Sequence, residues 1–165
     1  MVMISDIGSA VTRRLQLVFV CILLSLSLAW ISQAQVYSVP SGGVWADGST
    51  WQGGVIPTST DQVVIRGIVS INASATVAQV TVESGATLRG RLDRTLTVTR
   101  DLTNNGTIRD RYSGNWWLYL VIGGDVTNNG TWTNYRTTLN GSGNQTISQA
   151  AGTNWVTQIV LKTTS

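Results

Sequence analysis

Histidine is absent from this 165-residue chain, and cysteine occurs once, at Cys21. Without histidine there is no Ser-His-Asp or Cys-His catalysis, and a lone cysteine supplies neither a disulfide nor a Cys/His zinc site. Charge is scarce: Asp, Glu, Lys and Arg make up 12% of the residues, 11 basic against 8 acidic, for a net charge of +3. A protein that reads nucleic acid carries a denser basic face, so no nucleic-acid partner is expected. Proline appears only at Pro40 and Pro57. Beyond Ile31 no stretch repeats its apolar residues with a helical period, which leaves strands and turns as the material of the fold.

The one long apolar run is at the start. Arg13 and Arg14 precede Leu15–Ile31, which is interrupted only by Gln16, Ser25 and Ser27, and Ser32-Gln33-Ala34 follows with small residues at two positions. That order is a secretory signal peptide over residues 1–34, cut before Gln35, with a retained membrane anchor as the competing reading. Cys21 lies inside the run behind Phe19 and Val20, where lipid attachment would need small residues. The expected location is therefore secreted or cell-surface, with no membrane contact after cleavage. The exported part would hold nine basic and seven acidic residues and gain nothing from disulfides.

Residues 35–60 are rich in glycine, contain both prolines, and carry Trp45 and Trp51. Two tryptophans in such a segment are expected to cover the open end of an apolar core, making it an N-terminal capping segment. From Asp61 onward short runs of Val, Ile and Thr alternate with turn pairs such as Ser84-Gly85, Asn105-Gly106, Gly123-Gly124 and Asn129-Gly130. Within this region DLTNNGTI (Asp101–Ile108) returns as DVTNNGTW (Asp125–Trp132), and the ungapped match extends back over TLTVTR and YLVIGG. VTVESGATL (Val80–Leu88) reads as a degenerate earlier copy, with Ser84-Gly85 in the place of Asn105-Gly106 at a slightly shorter offset. A β-sandwich does not predict a near-identical unit at fixed spacing; a solenoid does.

The expected fold is all-β: a right-handed parallel β-helix of a few coils of about 21–24 residues over residues 61–165, preceded by a signal helix. Leu96, Val98, Leu102 and Ile108 should point inward, with Leu120, Ile122, Val126 and Trp132 in the same slots one coil on. Asn104, Asn105 and Gly106 should form a corner stacked on Asn128, Asn129 and Gly130, the asparagines bonding along the axis and tolerating left-handed backbone. The chain stops just after an apolar strand without a polar cap, so its C-terminal solenoid end is expected to continue in a longer protein or to be covered by a partner.

VWADGSTWQGGVIPTSTDQVVIRGIVSIN (Val44–Asn72), followed by LTVTRDLTNNGTI, resembles the N-terminal part of secreted bacterial adhesin-like β-helix surface proteins, many exported by the type IX route. The Trp-rich opening is also similar to an extracellular eight-glycine domain found at the start of β-helix proteins. The resemblance covers most of Val44–Ile147. It implies a surface role in adhesion or envelope structure, and no substrate, cofactor or catalytic residue.

Parallel β-helices also include polysaccharide-cleaving enzymes, which need clustered carboxylates. Stacked Asp101 and Asp125 are the best pair available, but the stronger reading makes both turn residues that accept backbone N–H bonds. Arg89, Arg91, Arg94, Arg100, Arg109 and Arg111 crowd into one stretch with Asp93, Asp101 and Asp110 among them. They form either mutually neutralised loops, the favoured reading, or a patch for acidic polysaccharide. Arg109, Arg111, Trp116, Trp117 and Tyr119 are the candidate glycan-binding residues. Threonine alternations at Thr97-Val98-Thr99 and Thr131-Trp132-Thr133 are out of register and suggest no ice-binding face. The functional expectation is a non-catalytic structural or adhesive solenoid module, partnered by polysaccharide or another surface protein. The alternatives are the scaffold of a carbohydrate-active enzyme or a dedicated glycan-binding module.

Overall fold

The computed structural model describes residues 35–111 and 116–162, so the expected signal segment lies outside the described residues. The described chain is a β-solenoid of about five coils, built from three parallel walls. The first coil is β3 (Gln62–Ile65), β4 (Ile68–Ile71) and β5 (Ala75–Val77). The second is β6 (Gln79–Val82), β7 (Thr87–Gly90) and β8 (Arg94–Val98), and the third β9 (Leu102–Asn104), β10 (Thr107–Arg109) and β11 (Leu118–Ile122). The fourth is β12 (Val126–Asn128), β13 (Thr131–Thr133) and β14 (Arg136–Leu139), and the fifth holds β15 (Ile147–Gln149) and β16 (Gln158–Leu161). Above the first coil lie β1 (Gln35–Tyr37), paired with β3, and β2 (Gly43–Val44), paired with β4.

Equivalent residues stack into files. Val63, Val80, Leu102 and Val126 run down the first wall, Val69, Leu88, Ile108 and Trp132 the second, and Val77, Val98, Ile122 and Leu139 the third. All are buried, and so are Leu96 and Leu120, so the eight expected inward residues point inward. Each such side chain removed from water contributes about 1.5–3 kcal/mol, and the files merge into one core. Trp132 needs more room than the Ile108 beneath it. The neighbouring inward slot changes in step, from Leu96 and Leu120 to Thr137. Asn134 then fills the space, accepting from Trp132 Nε1 at 2.6 Å and from Thr137 Oγ1 at 3.1 Å and donating to the Leu118 and Arg136 carbonyls. Trp132 in turn stacks on Trp155 at 5.0 Å between ring centroids.

Trp45 and Trp51 belong to the buried core cluster. They meet edge to face at 4.9 Å, both buried, and Trp51 Nε1 donates to the Trp45 carbonyl at 2.8 Å. Their loop is set by Asp47, which caps a single 3₁₀ turn at Gly48–Thr50 by accepting from the Ser49 amide. That bond holds the Asp47 carboxyl below its ordinary pKa.

Coil length is less regular than the two NNGT copies suggest. Along the first wall the stacked partners are Val63, Val80, Leu102, Val126 and Ile147, and no two successive steps in that series are equal. The step from Val63 to Val80 is the shortest and falls below the expected range, because the first coil turns each corner on one to three residues. The second coil departs in another way. Val82 pairs with Asn104, yet Thr87 pairs with Thr107, so the second wall advances by less than the first. The Glu83-Ser84-Gly85-Ala86 corner therefore carries two extra residues, and Ala86, not Gly85, is the equivalent of Gly106.

These two kinds of corner place glycine for different reasons. In the longer one Gly85 adopts φ +81°, as Gly152 does at +77° in the fifth coil. At Asn105-Gly106 and Asn129-Gly130 no asparagine has positive φ, so the expected left-handed asparagine is not found. Glycine is needed there because the coils pass too close for a side chain: a Cβ on Gly106 would sit 2.3 Å from the Glu83 carbonyl oxygen. The asparagines serve the axis instead. Asn104 Nδ2 donates to Asn128 Oδ1 at 2.8 Å inside the solenoid, and Asn129 Nδ2 to Asn105 Oδ1 at 2.9 Å outside. Asn104 Oδ1 also accepts from the Gly106 amide, closing its own corner.

The inner ladder should therefore matter more than the outer one. Asn104→Ala orphans buried groups and should cost about 1–3 kcal/mol by chemical denaturation. Asn129→Ala, on the exposed ladder, should stay within about 0.5 kcal/mol. Equal costs would contradict this division of labour. Val126→Asp puts an unpaired carboxylate into the core and should cost about 3–5 kcal/mol, an effect a thermal melt reads directly.

Candidate functional site

The outer face of the second wall carries a file in which Val44, Ser70, Arg89, Arg109 and Thr133 succeed one another from coil to coil. Just beyond Arg89 and Arg109, at the next alternate position of each chain, stand Arg91 and Arg111. Both lie just past the ends of their strands, and with Arg109 they are near enough to Arg89 to repel its charge. Beside them a groove of about 430 Å³ is lined by Val44, Ile68, Ser70, Arg89, Arg91 and Arg111. Its wall is ordered by Arg89 Nε, which donates to Ser70 Oγ at 2.9 Å. Burial lowers the pKa of the Arg89 guanidinium, and Arg109, Arg111 and Arg91 push it the same way.

Among the described residues no ion pair neutralises the arginines of this groove. The interspersed carboxylates are occupied elsewhere: Asp93 Oδ1 accepts from the Trp117 amide at 2.8 Å and Asp110 Oδ1 from the Leu118 amide at 2.7 Å. Arg89, Arg91 and Arg111 form no ion pair among the described residues, whereas Arg66 meets Glu83 at 3.4 Å.

The five candidate glycan-binding residues divide between two faces. Arg109 and Arg111 belong to the second wall. Tyr119 lies on the third wall, next to Arg136 in register. Tyr135 joins Tyr119 edge to face at 5.5 Å and Trp117 at 4.6 Å. Arg136 lies 5.8 Å from the Tyr119 ring and 5.4 Å from Tyr135, so this aromatic shelf already holds a cation of its own. Trp116 sits at the corner, 5.0 Å from the Arg111 guanidinium, and connects the two faces.

The corner residues Asn104, Asn105, Gly106, Asn128, Asn129 and Gly130 are structural, as their ladders show. Asp101 and Asp125 stack and accept backbone amides, as the stronger reading has it: Asp101 Oδ1 takes the Asp125 amide at 2.8 Å, and Asp125 Oδ1 takes the Thr146 amide at 2.7 Å. Each carboxylate thus ties its coil to the next. No group of three or more Asp, Glu, His or Cys side chains forms a metal site among the described residues. The two threonine alternations lie on different walls, Thr97 on the third and Thr131 on the second. Sequence reasoning passed over two real files, Thr81-Thr103-Thr127 and Thr87-Thr107-Thr131, both of which follow from the pairing. It also missed the groove, although RGR (Arg89–Arg91) recurs as RDR (Arg109–Arg111).

The chain matches no protein-family model, no curated protein and no solved structure.

Asp110 supplies a test of the corner loop. Burial raises its pKa, opposed in part by the Leu118 and Tyr135 amides. A carboxyl whose folded pKa lies above its unfolded value stabilises the fold below that unfolded value, and the contribution is lost as pH rises through the folded pKa. Asp110→Asn keeps an acceptor and carries no charge. Its stability relative to wild type should therefore rise between about pH 3 and about pH 7 in paired thermal melts. A difference that stayed flat with pH would show that burial does not penalise this carboxylate.

Proposed function

We propose that this chain is a non-catalytic structural or adhesive module of a secreted or cell-surface bacterial protein. The observation that carries the reading is the use made of the repeat's polar side chains. Asn104, Asn128, Asp101 and Asp125 each take part in a hydrogen bond that joins one coil to the next. A hydrolase or lyase built on such coils would need carboxylates that stand free to meet substrate. Here the repeat builds a stiff rod, and what varies between coils is the outer decoration. The basic, apolar, small-residue order of positions 1–34 supports export. The likeness of Val44–Ile147 to adhesin-like β-helix proteins supports the surface role.

Two measurements on producing cells test this. External protease should remove the protein from intact cells, and cells lacking it should attach less well or show a weakened envelope while growing normally. In parallel, the purified protein is incubated with a panel of neutral and acidic polysaccharides, whose chain length should not change over time. Progressive shortening of any of them would replace this reading with that of a carbohydrate-active enzyme. Protection from protease in intact, unpermeabilised cells would remove the surface assignment.

A further inference from the structure

We propose that the groove on the second wall binds an acidic polysaccharide, with Arg89, Arg91 and Arg111 gripping its carboxylate or sulfate groups. The inference rests on the adhesive reading and names the ligand class of that surface.

The fold itself does not call for arginine at these places. In the same outward file other coils carry Val44, Ser70 and Thr133, and the walls pair equally well there. Arg89 stands level with Arg109 in adjacent strands whose backbones are ~4.8 Å apart along the axis, and Arg91 and Arg111 follow just beyond the ends of those strands. Guanidinium groups at such spacing repel one another, and the nearby acids Asp93 and Asp110 face backbone amides instead of the groove. Charge gathered without neutralisation in a concave place is the arrangement that receives an anion. Arginine adds a planar fork that matches the two oxygens of a carboxylate or a sulfate.

The rest of the lining decides what bears the anion. Val44 and the exposed Ile68 offer apolar surface for sugar C–H groups, while Ser70 adds a hydroxyl already oriented by Arg89. The volume of about 430 Å³ suits a short run of sugar units. A nucleic acid fits less well. Among the described residues that line the groove there is no aromatic ring to stack a base, and the chain's net charge is only +3. The groove crosses several coils, so the ligand can be a polymer lying along the rod axis instead of a single capped sugar.

The test uses the exported chain and four immobilised probes: polygalacturonate, dextran sulfate, neutral dextran and an oligothymidylate. At least one acidic polysaccharide should bind, in a salt-sensitive way, and bind better than neutral dextran and the oligonucleotide. The Arg91→Gln/Arg111→Gln pair should weaken that binding by roughly tenfold or more with an unchanged melting temperature. The Arg91→Lys/Arg111→Lys pair keeps the charge but loses the fork, and should weaken it by about threefold or more. Stronger binding to the oligonucleotide, equal binding to neutral dextran, undiminished binding by the glutamine pair, full retention by the lysine pair, or no binding at all would each overturn the proposal. Failure here leaves the surface placement and the unchanged chain lengths as they stand. Shortening of a polymer that binds through these arginines would instead uphold the site and overturn the non-catalytic reading.

Discussion

Everything in this molecule depends on like stacking on like. Parallel coils repeat at ~4.8 Å, so the nearest neighbour of most side chains is the equivalent residue of the next coil. For Val, Leu and Ile this is favourable on the inside, where each file packs as one column. For a polar group it is favourable only if the group can satisfy its own copy. A carboxamide both donates and accepts, so Asn104 bonds Asn128 and Asn105 bonds Asn129. A carboxylate cannot bond a carboxylate, so Asp101 reaches the backbone amide of Asp125 instead. A guanidinium has donors only, so Arg89 and Arg109, stacked in register, cannot satisfy each other.

The same rule governs where a perfect ladder stops. Asn128 Nδ2 is buried without a protein acceptor, because the next coil offers Gln149, whose amide nitrogen turns to the Thr153 carbonyl in a longer corner. An axial ladder thus survives only while successive corners have the same length. Gly106 and Gly130 keep it so over two coils: the short corners bring backbones within a distance that excludes a Cβ. The longer corners at Gly85 and Gly152 relieve that crowding with positive φ and give up the ladder.

This explains what could be read in the chain and what could not. The two NNGT copies are legible because a tight corner with a stacked amide admits few substitutions, and the apolar files beside them follow directly. Trp45 and Trp51 stand out as large apolar residues in a turn-rich segment. The first coil is hidden because it closes early, with Val80 already stacked on Val63, and lacks the NNG corner, its turn being Arg66-Gly67 with the Arg66 amide held by Ser38 Oγ. The cationic groove is hidden for a subtler reason. The longer Glu83–Ala86 corner carries Val82 forward to Asn104 on the first wall but Thr87 only to Thr107 on the second. The single period that relates the NNGT copies lays Arg89 over Ser113 and Arg91 over Asn115, and separates residues that the fold places side by side. Strands β9 and β12 lie inside the repeated motif itself, between its aspartate and its Asn-Gly turn.

The contrast between the two outer faces follows from the same accounting of donors and acceptors. On the third wall Trp117, Tyr119 and Tyr135 pack on one another, and Arg136 lies beside two of the rings. A cation held over aromatic faces has its partner already, so an arriving sugar would have to displace it. On the second wall the guanidiniums have one another for neighbours, and burial and mutual repulsion both act against the charged form of Arg89. An anion entering there relieves repulsion that is present in its absence, and among the described residues Arg111 has only the ring of Trp116 beside it and neither Arg91 nor Arg111 has an ion-pair partner. Aromatic residues beside arginines look alike in sequence on both faces. The difference is whether the fold has already answered the charge, and only the register between coils decides that.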